Sequence, residues 1–322
     1  MARMQTAHHA DRIHSAIRSG EAASSALVAS WQRSSRLHRL DPTERRSPQR
    51  LEQARLEAAR DQSAPLLRAA RPSLDRLYQA VGGMGCCVLF ADRDGVPLER
   101  RGAAADDETF EDWGLWPGTL WSEDSEGTNG IGTCLVEQRA LTIHRHQHFF
   151  TRNTLLSCTT APVWDHEGRL AGALDVSSCR ADQTEDVTNL VALAVAEAAR
   201  RIEAETFRLA FAGSRIVLAC GAEWSPNGLL AADKDDIVVG ATRAARQAFK
   251  GRGNLVGTPL ALADGRDDEN RYSDEVRHAE KVILERALSR ARGNVSAAAR
   301  QLGVSRATLH RKMSKLALDR RG

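Results

Sequence analysis

Apolar positions change their period several times along the chain, and each change marks a different element. Residues 9–40 step helically through Ile13, Ile17, Leu27 and Trp31, until Asp41-Pro42 stops the run. After the polar stretch "DPTERRSPQR" a second helical region runs from Leu51 to Val81, with Leu56, Leu66, Leu67, Leu74 and Leu77 on one face. From Gly85 to Ser178 the pattern reads as strands. "CCVLFAD" turns at Asp92–Gly95, "LTIHRHQ" alternates, and "LLSCTTAPVWD" and "LAGALDVSS" are joined at Asp165–Gly168. Two strands, a long connection with a helix, and three more strands predict an antiparallel sheet covered by helices.

Residues 184–211 predict one long helix, stepping by three and four through Val187, Val191, Ala194, Ala198, Ile202, Glu205 and Leu209. That stripe suits a two-helix seam between copies, or equally a helix packed on the sheet. Strand signals return in "RIVLAC", "GLLAAD" and "DIVVGAT", followed by the short helix "RAARQAFK" and a charged linker at 264–270. Val276, Ile283, Leu284, Ala287 and Leu288 mark a helix from Ser273 to Ala291, closed by Gly293.

The segment from Asn294 to Met313 then reads as a short helix, a turn at Gly303 and a basic second helix. Asn294 or Ser296 caps the first helix and Ser305 the second. Ala297, Ala298 and Ala299 allow close helix crossing, Val304 lies under the turn, and Leu309, Met313 and Leu316 face inward. Arg306, Thr308, His310, Arg311, Lys312 and Lys315 are left outward. Arg306 and Thr308 occupy the first turn, where base edges are read; Arg311, Lys312 and Lys315 suit phosphates. Twelve Lys/Arg and five Asp/Glu give residues 273–322 a formal charge of +7, against +3 for the whole chain. Positive charge gathered at one end is what a DNA-binding module requires.

Residues 273–318, with "GNVSAAARQLGVSRATLHRKMSKLAL", resemble the Fis-type DNA-binding domain. The resemblance implies a homodimer on a palindromic double-stranded operator. The segment from Trp121 to Thr133, with "HFFTRNTLLSCTTAPVWDHEGRLAGALDVSS" downstream, resembles the GAF domain of acetoin-catabolism-type regulators. "SWQRSSRLHRLDP" at 30–42 is similar to the N-terminal segment of that family, and residues 206–262 resemble a PAS domain. Many such regulators carry an AAA+ ATPase between sensor and Fis-type helices. This chain has no GxxxxGK[ST] loop and no room there for that domain, so ATP-dependent activation of sigma-54 polymerase is not expected.

The expected class is therefore α+β and multidomain, in chain order: an N-terminal helical region (1–80), a GAF sensor (81–183), a connecting and dimerisation helix (184–211), a short PAS-like domain (212–263), a linker (264–272) and an all-α Fis-type helix-turn-helix (273–322). A length of 322 residues suits two or three domains. Six cysteines without CxxC spacing (Cys86, Cys87, Cys134, Cys158, Cys179 and Cys220) suit reduced thiols in a cytoplasm. Neither an apolar span of membrane length nor a secretory signal core is present, so neither membrane insertion nor secretion is expected.

The expected effector is a small metabolite, by family resemblance a short ketone or alcohol, and no cofactor is expected. Phe110, Trp113, Trp116 and Trp121 are candidates for an apolar lid over it, or for core filling beneath a long loop. Gly127, Gly130 and Gly132 permit close backbone approach. Thr128, Asn129 and Thr133 could bond a ligand or cap the following helix. His148 and Phe149, from the family phrase "HFF", and Cys158 complete the pocket set. A second reading takes His144, His146 and His148, alternating on a strand, with Cys158 as a metal or haem site. A third makes the domain a thiol enzyme; adjacent Cys86 and Cys87 in an apolar strand argue against it. The main expectation is a DNA-binding regulator, not an enzyme, with RNA polymerase as a further partner.

Overall fold

A computed structural model describes residues 2–180, 184–219, 227–249, 254–260, 284, 287, 288, 290, 291, 294–302 and 304–315. The contacts divide the chain into two units, 1–263 and 264–322.

The first unit opens with α1 (Ala2–Arg18) and α2 (Ala26–Gln32), the latter continuing as a wider turn over Arg33–Leu37. The single helical run expected over 9–40 is broken by Gly20, which takes a left-handed φ of 78°, and Ser25 recaps the chain through Val28 N–H. Next come α3 (Gln53–Gln62) and α4 (Ala64–Val81). The central sheet comprises β1 (Cys86–Asp92), β2 (Pro97–Arg101), β3 (Leu141–His144), β4 (Ser157–Trp164) and β5 (Leu170–Ser178), in the order β2-β1-β5-β4-β3 and antiparallel throughout. Three short helices, α5 (Asp107–Asp112), α6 (Glu123–Glu126) and α7 (Gly130–Glu137), lie in the connection between β2 and β3.

Strand alternation sends each sheet face to a different partner. Val88, Phe90, Ala161, Val163, Leu174 and Val176 meet α4 and the long helix α8 (Glu185–Ala210). On the opposite face Cys87, Leu89, Ala91, Cys158 and Ala173 pack beneath Phe110, Leu115, Trp121, Ile131 and Cys134. Of the two readings of the α8 stripe, packing on the sheet describes these contacts. Val191, Ala198 and Ile202 are buried against α4 and the sheet, with Val187 and Ala194 packed beside them. Burying that stripe within the chain leaves Leu190 and Leu193 outward, 67% and 70% exposed.

A smaller antiparallel sheet follows, β6 (Arg215–Leu218), β7 (Leu229–Ala232) and β8 (Val238–Ala241), with α9 (Arg243–Ala248). Arg243 stacks over Trp164 at 3.8 Å, tying α9 to the end of β4. In the second unit, α10 (Val295–Gln301) and α11 (Arg306–Lys315) enclose Leu284, Ala287, Ala298, Ala299, Leu309 and Met313. Cys220, the linker 264–272, the helix start at Ser273, Gly293, Gly303 and Leu316 lie outside the described residues.

Candidate sensor face and DNA-reading helix

The turn from α6 into α7 is built by its own side chains. Asn129 Oδ1 accepts Gly132 N–H at 2.8 Å, Thr133 Oγ1 accepts Asn129 N–H at 3.2 Å, and Asn129 Nδ2 donates to the Gly127 carbonyl at 2.8 Å. Gly130 is glycine because the sheet is so near: a Cβ there would lie 2.6 Å from Cys158 Cβ and Thr160 Oγ1. Asn129 and Thr133, read as ligand contacts or as caps of the following helix, are engaged in holding the turn.

The same turn also holds a distant segment. Ser30 on α2 donates to Glu123 (2.5 Å) and bonds the hydroxyls of Thr128 (2.7 Å) and Thr133 (3.2 Å). Arg33 grips Glu123 through Nε (2.7 Å) and Nη2 (2.9 Å) and reaches Glu137 at 2.8 Å. Glu123 is almost wholly buried, so this fork supplies the positive charge its carboxylate needs. The stretches "SWQRSS" and "SEDSEGTNGIGT" are therefore two halves of one polar clasp. Trp31 adds a bond from Nε1 to the Gln147 carbonyl at 2.8 Å, and Ile13, Ile17, Val28 and Trp31 pack with Phe149 and Phe150.

Beneath the clasp runs a buried polar string. His148 Nδ1 meets the Arg145 carbonyl at 3.0 Å and its Nε2 meets Cys158 Sγ at 3.4 Å. Ser177 Oγ lies 3.1 Å from Cys158 Sγ and donates to Asp175 Oδ2 at 2.6 Å, while Thr160 donates to Oδ1. Asp175 is fully buried and, among the described residues, forms no ion pair. Burial pushes its carboxyl up to about 6, against the lowering effect of the Ser177 and Thr160 bonds. Burial lowers His148 to about 4, so its ring is neutral near pH 7. The Cys158 thiol is pushed well up by burial and by Asp175, which removes nucleophilic thiolate. Burial acts likewise on Cys87.

The four-ligand metal or haem reading is corrected by this geometry. Arg145 adopts φ 47°, so the strand ends at His144 and the alternation does not reach His146 or His148. His144 Nδ1 contacts Ser157 at 2.7 Å and His146 lies beside the His9 ring, leaving only His148 with Cys158. Among the described residues no cluster of three His, Cys, Asp or Glu could hold a metal ion. The aromatic lid divides. Phe110 and Trp121 are buried core, with Trp121 Nε1 donating to Gly114 O at 2.7 Å, whereas Trp113 and Trp116 are half-buried; Phe149, the pocket candidate from "HFF", is also buried. His148, Cys158, Thr160, Asp175 and Ser177 are all buried from solvent, so the face is closed in this arrangement. Asp175, Thr160, Ser177, Ser30 and Arg33 went unselected in the sequence. An acid inside "GALDVSS" was the available signal, since apolar strands seldom bury an unpaired carboxylate.

In the second unit Asn294, not Ser296, caps α10, accepting Ala297 N–H at 3.1 Å. Ser305 Oγ accepts Thr308 N–H at 3.1 Å and bonds the Thr308 hydroxyl at 2.8 Å. Arg306 begins α11 and is exposed. His310, Arg311, Lys312 and Lys315 belong to α11, and their side chains lie outside the described residues.

Sheet, clasp and capped helix pair define a GAF-like sensor domain in a chain that also carries a Fis-type helix-turn-helix. The chain belongs to the family of the MimR N-terminal domain, which matches residues 4–203, and residues 275–316 match the bacterial regulatory protein, Fis family. The acetoin catabolism regulatory protein of Cupriavidus necator is 34% identical over 76% of the chain and 37% of its own length. The propane 2-monooxygenase operon transcriptional activator MimR of Mycolicibacterium smegmatis is 30% identical over 53% of the chain and 28% of its own. The chain thus spans about a third of the length of these curated relatives. The fold is similar to that of the E. coli DhaR(N)-DhaL complex, with a TM-score of 0.52 at 14% identity over 74% of this chain and 80% of that one.

Proposed function

We propose that this protein is a one-component transcription regulator, in which the sheet face around Asp175 senses a small metabolite and the Fis-type unit reads a palindromic operator as a homodimer. The observation that carries the output is Arg306, exposed in the first turn of a Ser305-capped helix on an alanine-lined partner. The input rests on Asp175, a buried acceptor without a cation, which suits a neutral ligand that donates a hydroxyl, such as the short hydroxyketone in the Cupriavidus relative's name. Admission of that ligand requires the clasp to loosen, since the face is closed. The effect travels by α8, whose buried stripe packs on the same sheet. The domain boundaries proposed are those given above, and RNA polymerase is a further partner. Among the described residues no helix is long and apolar enough to cross a membrane.

Fluorescence anisotropy with a selected operator tests the output. Arg306→Ala is expected to erase discrimination between operator and scrambled DNA, while Lys315→Ala weakens both evenly and lowers the log–log salt slope by about 1. Equal operator binding by both variants and the parent would overturn the assignment of α11. Thermal-shift titration with acetoin tests the input: a saturable rise in the parent, absent in Asp175→Asn, is expected.

A further inference from the structure

A cavity lies between α3, β2 and the loop after α5, and none of its lining residues belongs to the Asp175 string. Its volume is about 630 Å³, within the range of small-molecule sites. Leu51, Leu56, Trp116 and Pro117 supply apolar wall, and Arg60 and Arg100 supply charge. Glu99 and Glu111 also line it, but Glu111 is paired with Arg50 at 2.8 Å and Glu99 with Arg71 at 2.7 Å.

Arg100 is the unusual member. Its side chain is only 9% exposed, and Nη1 donates to Asp107 at 2.6 Å. Nε and Nη2 are shielded from water and have no hydrogen-bond partner. Buried donors without an acceptor are costly and uncommon. The two belong to one edge of the guanidinium, the fork that grips a carboxylate side-on. The same chain shows that grip completed where Arg33 Nε and Nη2 hold Glu123 at 2.7 and 2.9 Å. Trp116 and Phe110 fix the plane of the Arg100 group at 4.5 and 5.3 Å. Gly102 leaves room for it, since a Cβ there would come within 2.6 Å of Cζ. Arg60 donates Nε to the Leu98 carbonyl at 3.0 Å and, among the described residues, forms no ion pair.

We propose that this cavity binds a small organic monocarboxylate that opens the cover over Nε and Nη2 of Arg100 and takes up their hydrogen bonds, its apolar body against Trp116 and Leu56, and Arg60 adding a second positive charge. A monoanion fits better than a phosphate dianion, because Asp107 already meets part of the Arg100 charge and two glutamates stand on the wall. This site is separate from the Asp175 face, and its test involves no DNA.

Sodium benzoate serves as the probe, against benzamide as the uncharged analogue and sodium chloride at equal ionic strength. Calorimetric titration of the full chain is expected to show saturable benzoate binding, with none for benzamide. Arg100→Lys, which keeps the charge but loses the fork, is expected to weaken it about tenfold. Arg60→Gln, on the cavity wall, is expected to weaken it about threefold, and serves alone if circular dichroism shows that Arg100→Lys does not fold. No heat from benzoate beyond chloride, equal binding of benzamide, or parent-like binding by the folded variants overturns the proposal.

Discussion

Two buried side chains on the sensor face titrate in opposite directions. Neutral His148, lowered to about 4, contributes stability that is fully present above its unfolded value of about 6.5 and is lost as pH falls towards 4. Protonated Asp175, raised to about 6 from an unfolded value of about 3.9, contributes stability that is fully present below about 4 and is lost as pH rises through 6. Each is worth roughly 3 kcal/mol, and over pH 4–6 they oppose each other. Urea melts at stepped pH should therefore expose a slope in each single variant. His148→Gln should gain stability on acidification across that window, and Asp175→Asn should lose it. Parallel slopes in the two variants would show that the string does not titrate as described. Gly130 belongs to the same scale. Its replacement by Ala sets a methyl 2.6 Å from Cys158 and Thr160 and should cost about 1–3 kcal/mol by overpacking.

Between elements, the clasp and α8 do most to determine how the sensor is assembled. Arg33→Ala would strand the buried Glu123 carboxylate, with an expected loss of about 3 kcal/mol in denaturant melts. Arg33→Lys should recover only part of it, because an ammonium cannot make the two-point grip. On α8, Val195→Ala opens a cavity in the core beside Ile202 and should cost about 2 kcal/mol, whereas Leu190→Ser on the exposed side should change monomer stability by less than about 0.5 kcal/mol. The strands were legible in the sequence because strands covered on both faces read as short continuous apolar runs between turns. The direction of α8 was not, since a three-four stripe looks alike whether α4 or a second chain covers it. The helix break at Gly20 was likewise invisible to a reading based on apolar spacing alone, though the glycine itself marked it.

Across the whole molecule, charge and chemistry are segregated. The formal +7 of residues 273–322 belongs to the second unit, while the clasp, the Asp175 string and the Arg100 cavity all belong to the first. A chain ending at Ala263 should therefore keep its benzoate isotherm while losing operator binding in gel shift. Loss of both together would show that the first unit depends on the second for its fold. Legibility also follows this division. In the second unit function is local: a cap, three alanines and a basic helix lie within about twenty consecutive residues, so the sequence alone specified the helix-turn-helix. It also specified the antiparallel sheet, because short apolar runs bounded by turn residues are written residue by residue. Three-dimensional packing alone decided that Ser30 closes on Glu123 and Thr128 and Arg33 on Glu123, that Asp175 meets Thr160 and Ser177 under Gly130, that the turn at Arg145 takes His146 off the strand, and that Arg100 keeps an unpaired fork. Those outcomes depend on contacts between segments up to about a hundred residues apart, and no periodicity along a chain records which distant segment will be its neighbour.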